Sequence, residues 1–329
     1  LKSDGLNNSS ELGYTVGFRV NGVFPGGVSE EHKLWSGKVI PVVKLKLTAP
    51  YYMSFDAADQ RRDLDLCLMQ IRTKSGVYKE DMLGNAPFAI YCGKWDYRKM
   101  KNRKDGWWDA VKASDQKVCS GINVVKMRYP HVLLMYAEVM NELYGSYNTG
   151  GEYCSKTAFE ALSEIHTRAF NGDKAAAEAH LTKLINEQGF FETIVDENAW
   201  ELAGEGVRKF DLIRWNLLSA KIDEFKESYR NAVNNGSYPA KIYYKFKEDN
   251  FTIDVTTFNY NEPVEAGYFS ANFFGRETTD AKQEQLLVNL PSISAGLNRV
   301  VKNRYLLPIA STTISTSNGK LHNSYGYSD

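Results

Sequence analysis

From Tyr129 onward, apolar side chains fall at positions 129, 132, 133, 136, 140, 143 and 144. That is the i, i+3, i+4, i+7 spacing of an amphipathic helix held for four turns. Pro130 suits a first helical turn and Gly145 suits a stop. After the loop GSYNTGGEYC, Ala158, Ala161, Leu162, Ile165 and Ala169 repeat the template, ended by Asn171-Gly172. Two such helices joined by a short loop make a hairpin. The small residues Ala137, Ala158, Ala161 and Ala169 let its backbones approach closely. This is the logic of tetratricopeptide helix pairs, although no clean repeat runs along the chain. A third helix is predicted over 175–188.

A fourth helix is predicted in ENAWELAGEGVRKFDLIRW, which starts at Glu197. Ala199, Leu202, Ala203, Gly206, Phe210, Ile213 and Leu217 share one helical stripe. Gly204 and Gly206 sit inside it, although glycine costs roughly 1 kcal/mol against alanine in a helix. The expectation is that they serve close packing. Glu201, Glu205, Arg208 and Trp215 share another face, where Glu205 with Arg208, and Arg208 with Asp211, are spaced to pair.

The flanking sequence has a different character. Residues 1–65 are rich in turn formers and short β-branched runs, and LCLMQI at 66–71 is strand-like. The segment 72–123 is loop-heavy, and 228–300 reads as short strands and long loops. The organisation expected is one domain over 1–329, with 124–227 as a helical scaffold and 1–123 and 228–300 as a loop-rich, ligand-facing region.

Charge narrows the function. Forty basic and 40 acidic side chains cancel, so the chain lacks the basic field that nucleic acid or an anionic membrane surface requires. Apolar residues at 43% and charged residues at 24% describe a soluble globular class. No window approaches the roughly 18 apolar residues of a membrane span. Aromatic residues at 13%, with 20 Tyr and 6 Trp, are the unusual feature, because Tyr and Trp bind flat, partly polar ligands well. Cys67, Cys92, Cys119 and Cys154 form no CxxC pair, and free thiols and disulfides both remain open.

The chemistry of known catalytic motifs is missing. His32, His131, His166, His180 and His322 have no metal-ligand spacing, so neither a metal nor a cofactor is expected. There is no nucleophile elbow, phosphate loop or dinucleotide fingerprint. Asp56, Asp59, Asp63 and Asp65 gather around Arg61 and Arg62. Paired carboxylates of that kind can hydrolyse glycosides, but beside arginines they read more readily as turns or ion pairs. Trp95, Tyr97, Trp107 and Trp108 fall in the polar loop YCGKWDYRKMKNRKDGWWDA. Loops lie on surfaces, and exposed Trp and Tyr stack on the C–H faces of sugar rings. These four are the expected ligand-binding residues.

Several separated blocks then coincide in order. INVVKMRYPHVLLMYAEVMNELYG at 122–145, ENAWELAGEGVRKFDLIRW and RYLLPIASTTISTSNGKLHNSYGY at 304–327 resemble conserved segments of the SusD/RagB family. YYMSFDAADQRRD, with YCGKWDYRKM after it, resembles the segments that precede them. The resemblance implies a mainly α fold, with tetratricopeptide-type helix hairpins packed against a loop-rich region with short strands. It implies a non-catalytic outer-membrane lipoprotein of the cell surface that binds glycans and delivers them to a SusC-like TonB-dependent transporter. Glu138, Glu201, Glu205, Arg208, Asp211 and Arg214 then read as structural scaffold rather than an active site. Complete members carry a signal peptide, a lipidated cysteine and further N-terminal helices. The resemblance therefore implies that this chain is the C-terminal part of a longer protein, whose membrane contact is a lipid anchor outside it. Departures from the family pattern fall at Glu197-Asn198, Ala310, His322 and Ser324. Two alternatives stay open: a peptide- or protein-binding member of the family, and a glycoside hydrolase using the Asp56–Asp65 cluster.

Overall fold

A computed structural model describes residues 46–74, 77–83, 90–94, 127–250, 252–273, 287, 288, 290 and 306–324. These residues fall into two compact units. The first draws on Leu1–Gly206 and Pro239–Phe274, the second on Val207–Tyr238 and Gly275–Asp329.

Helices dominate the first unit. Two short ones, α1 (Ala49–Met53) and α2 (Arg61–Asp65), precede four longer ones: α3 (Tyr129–Tyr144), α4 (Ala158–Ala169), α5 (Lys174–Gln188) and α6 (Phe190–Leu202). Each long helix packs on the next, and α6 also returns onto α3 and α4. Short connections force this arrangement. Residues 170–173 join α4 to α5, and Gly189 alone joins α5 to α6 at a φ of 91°.

Local sequence explains where these helices start. Thr157 and Glu160 form a reciprocal capping box: the Thr157 side chain accepts from the Glu160 amide, and the Glu160 carboxylate accepts from the Thr157 amide. The Asp173 side chain caps α5 by accepting from the Ala176 amide. In α4 the apolar stripe is buried as its spacing predicts, with Ala158, Ala161, Leu162, Ile165 and Ala169 all in the core.

Two expectations need correction. The buried face of α3 is Leu133, Leu134, Ala137 and Met140, whereas Tyr129, Val132, Leu143 and Tyr144 of the expected stripe are exposed. This helix is apolar on more than one side, so periodicity alone selects a wedge rotated from the one that packs. The fourth predicted helix is also not continuous. It stops at Leu202 and resumes as α7 (Arg208–Arg214). Gly204 and Gly206 take φ values of 77° and 79°, a left-handed conformation that glycine adopts without steric cost. They make a turn rather than a close helix contact, and Phe210 beyond it is 69% exposed.

Strands cover the remainder of the first unit. β1 (Lys46–Leu47), β5 (Ile90–Cys92) and β2 (Leu66–Cys67) form an antiparallel sheet with β5 central. β3 (Met69–Lys74) pairs with β4 (Val77–Met82). β6 (Lys241–Phe246) lies between β7 (Ile253–Asn259) and β8 (Phe269–Asn272). These parts are tied to one another and to the helices. The Ile253 amide donates to Glu80 Oε2 at 2.7 Å, Tyr52 and Tyr260 share a hydroxyl contact of 2.6 Å, and Tyr51 donates to the Ala199 carbonyl at 2.9 Å.

The second unit contains α7, α8 (Leu218–Asn234) and, near the C-terminal end, α9 (Ser311–Thr316). Asn323 Oδ1 accepts from the Ile309 amide at 2.7 Å and closes the segment around α9. The fold is mainly α, with helix hairpins packed against loops and short strands.

Candidate functional site

The charged residues of α6 and the turn after it enter a buried polar cluster. Glu197 and Glu201 are spaced by four on one face of α6, and Glu205 follows in the turn after it. Arg61, at the start of α2, reaches this face. Its Nη1 donates to Glu197 Oε1 at 2.6 Å and to Glu201 Oε2 at 3.1 Å, and its Nη2 donates to Asp59 Oδ2 at 2.6 Å. Glu197 is fully buried, and Asp59, Arg61 and Glu201 are nearly so. Arg128 and Arg168 both donate to Glu201 Oε1. Arg128 also grips Glu205 through Nε at 2.8 Å and Nη2 at 2.7 Å, and Lys94 Nζ meets Glu205 Oε1. Four carboxylates (Asp59, Glu197, Glu201, Glu205) thus face four cations (Arg61, Lys94, Arg128, Arg168).

Two histidines extend the cluster. His166 Nδ1 contacts Glu197 Oε2 at 2.8 Å, and its Nε2 contacts His180 Nδ1 at 2.8 Å. The imidazoles stack with centroids 5.1 Å apart, beside Phe170 and Trp200. Trp200 is held by its indole N–H, which donates to Ser54 Oγ at 2.9 Å.

The electrostatics are those of a closed lattice. Burial pushes the Glu197 carboxyl up, but Arg61 and His166 outweigh it and hold the group well below the usual carboxylate range. Glu201 behaves alike: burial opposes ionisation, while Arg128, Arg168 and Arg61 lower its pKa. For Glu205, burial is again overcome, by Arg128 and Lys94. Burial and the neighbouring His166 lower the pKa of His180. A general acid needs its pKa raised towards neutrality, and all three glutamates are moved the other way. Among the described residues, no group of three or more His, Cys, Asp or Glu side chains is placed to hold a metal ion. Cys67, Cys92 and Cys154 form no disulfide among the described residues, and Cys119 lies outside them.

The expected scaffold residues are distributed unevenly. Glu201 and Glu205 are central to the lattice. Glu205 is taken by Lys94 and Arg128, rather than by Arg208 within a helix, because the chain turns between them. Asp211 pairs with Arg214 at 3.1 Å in α7, Arg208 opens that helix, and Glu138 is half-buried on α3. The aspartates around Arg61 and Arg62 are also split up. Asp59 is buried against Arg61, Asp63 chelates Arg62 at 3.0 Å, and Asp65 lies 3.8 Å from Lys94. Sequence reasoning missed Lys94, Arg128, Arg168, His166, His180 and Glu197 as lattice members. The four-residue spacing of Glu197, Glu201 and Glu205 was the signal available. The expected ligand-binding residues Trp95, Tyr97, Trp107 and Trp108 lie outside the described residues.

Comparison with known proteins supplies a family for the chain. The SusD family matches residues 50–327. The SusD-like protein P25 of Formosa agariphila is 33% identical over 144 residues, which cover 39% of this chain and 25% of that protein. A solved SusD homolog from Bacteroides thetaiotaomicron is 19% identical and aligns with a TM-score of 0.43, covering 58% of this chain and 37% of the other. The matched region therefore spans about a quarter of the first relative and little over a third of the second. With the family match running from α1 to beyond Asn323, the chain belongs to the SusD family.

Proposed function

We propose that the protein binds glycans at the cell surface, without turning them over, and passes them to a SusC-like TonB-dependent transporter in the outer membrane. The family match over residues 50–327 carries this reading. Two features of the chain support it. Its buried carboxylates are clamped by arginine and lysine, so the acidic face of α6 serves packing rather than acid–base chemistry. Its sequence concentrates Trp95, Tyr97, Trp107 and Trp108 in one polar segment, the residue types that stack on sugar rings. Attachment to the membrane, in this reading, is by a lipid anchor. No described helix is long and apolar enough to cross a bilayer.

The test is affinity electrophoresis of the protein through native gels containing individual polysaccharides, with a Trp107→Ala/Trp108→Ala variant alongside. A stacked aromatic is worth roughly 1–3 kcal/mol by analogy with base stacking, so one glycan should retard the wild type and release the variant. Absence of retardation by every glycan would contradict the reading and favour a peptide ligand. Release of reducing sugar from the retarding glycan would contradict its non-catalytic part.

A further inference from the structure

We propose that His166 and His180 form a single-proton latch: in acid the pair takes up one proton at His180 Nε2, which then donates to Asp56 and ties the turn before α2 to α5.

The hydrogen bonds fix where the hydrogens stand. The Arg61 guanidinium is bound to both oxygens of Glu197, which keeps that carboxylate ionised and able only to accept. His166 Nδ1, 2.8 Å from Glu197 Oε2, therefore carries a hydrogen. Arg61 Nη2 lies 3.5 Å from the same nitrogen, but its two hydrogens go to Asp59 Oδ2 at 2.6 Å and to Glu197 Oε2 at 3.3 Å. A neutral His166 then has a bare Nε2, so the 2.8 Å contact between the rings requires His180 Nδ1 to donate. That leaves His180 Nε2 bare. It faces Asp56 Oδ2 at 4.0 Å, one acceptor opposite another with no hydrogen between them. The side chains of His180 and Asp56 are 15% and 40% exposed, whereas those of His166 and Glu197 are fully buried. The open lone pair therefore stands at the solvent end of the series, where a proton can enter from water.

One proton there rearranges the contacts. Nε2–H donates to the Asp56 carboxylate, whose Oδ1 already accepts from the Ala58 amide at 2.8 Å. The hydrogen between the rings can sit on either nitrogen, so the positive charge faces Asp56 from His180 or Glu197 from His166. The rings are stacked 5.1 Å apart, so a second charge is repelled and the pair titrates as a unit. Asp56 and Asp59 act on His180 from the turn, His166 from α4 and Glu197 from α6, with Arg61 of α2 bound behind Glu197. Burial and His166 lower the pKa of His180 from 6.5, against the pull of the three carboxylates, so the latch closes only below that pH. The turn already reaches two other helices. Ser54 Oγ accepts from the Trp200 indole of α6 at 2.9 Å, and the Gln60 amide donates to the Ala169 carbonyl of α4 at 3.0 Å. The latch adds α5 to these.

The latch requires nothing of a ligand, so it stands apart from the glycan reading. The test is nitrogen NMR of the histidine rings in the 329-residue chain, titrated from about pH 8 to about pH 5. His180 is assigned by its loss in His180→Asn, and His166 by coupling across the shared hydrogen bond. At the alkaline end both rings should carry hydrogen on Nδ1 and none on Nε2. On acidification His180 Nε2 should gain its hydrogen in one step, with one proton taken up by the two rings together and the Ala58 amide signal moving at the same midpoint. Asp56→Asn should lower that midpoint by about half a pH unit, with unchanged far-ultraviolet circular dichroism. A hydrogen on His180 Nε2 at the alkaline end, or separate uptake of a proton by each ring, would overturn the proposal on the wild type alone. A midpoint that a folded Asp56→Asn leaves in place would overturn the bond to the turn.

Discussion

The two ends of α4 use similar charged side chains in opposite ways. At the C-terminal end, His166 and Arg168 join the lattice in which Arg61 and Glu197 have side-chain exposures of 8% and 0%. Towards the other end, Lys156 just before the helix and Glu164 in its middle pair at exposures of 39% and 43%, beside an open groove. A surface pair of the second kind contributes about 0–1 kcal/mol, because water competes for both partners. A buried pair of the first kind is a commitment: removing one partner strands the other without solvent, at a cost of about 3–5 kcal/mol. Burial, rather than the density of charge, separates scaffold from surface that remains available to a ligand.

The sharpest way to break this contrast is Arg61→Ala. It leaves Asp59, Glu197 and part of Glu201 without their shared counter-charge. Urea denaturation should register a loss of about 3–5 kcal/mol, whereas Lys156→Ala should cost under about 1 kcal/mol. Equal costs would erase the distinction.

Acid titration sharpens it further. Glu197, Glu201 and Glu205 all have folded pKa values below the ordinary 4.5. Below that pH the unfolded chain binds protons that the folded chain refuses, so their stabilisation is present above about pH 4.5 and is lost as pH falls. His180 acts with the same sign from a higher starting point. Its pKa is lowered from 6.5, so the unfolded chain protonates first and stability begins to fall below that pH. Stability measured from pH 7 downward should therefore show a shallow decline and then a steep one, and His180→Asn should remove the shallow part. A stability that rose on acidification would contradict the ion-pair assignment.

A smaller effect is expected at the turn. Gly206 has a φ of 79° and open space where a Cβ would stand, so Gly206→Ala carries backbone strain and no clash. The cost should be about 1–2 kcal/mol in thermal or urea unfolding. The smallest is Arg214→Ala, where a half-exposed arginine leaves Asp211 and the Trp215 ring. Less than about 1 kcal/mol is expected there.

These particulars also explain what was legible in the sequence. The α4 stripe was readable because Ala158, Ala161, Leu162, Ile165 and Ala169 share one helical face, and all five are buried. The packed face of α3 was not, because apolar residues surround that helix and only its neighbours choose among them. Gly204 and Gly206 were visible as helix-poor, but their positive φ, and hence the break, depends on backbone geometry that a stripe does not encode. The lattice was the least legible feature. Arg61 and Glu197 are 136 residues apart, so no local period joins them, and the glutamate spacing of four hints at one half of the pairing only. The family resemblance supplied the scaffold role for Glu201 and Glu205, while their actual partners came from α2, α4 and the segments at Lys94 and Arg128.

The separation of scaffold from binding surface is tested most directly by Glu197→Gln, with urea stability and retardation by the wild type's polysaccharide measured on the same preparation. A stability loss of about 3 kcal/mol or more, with retardation by the remaining folded protein unchanged, is the predicted result. Undiminished stability with binding lost would place Glu197 in the functional site and contradict the assignment of this face to structure.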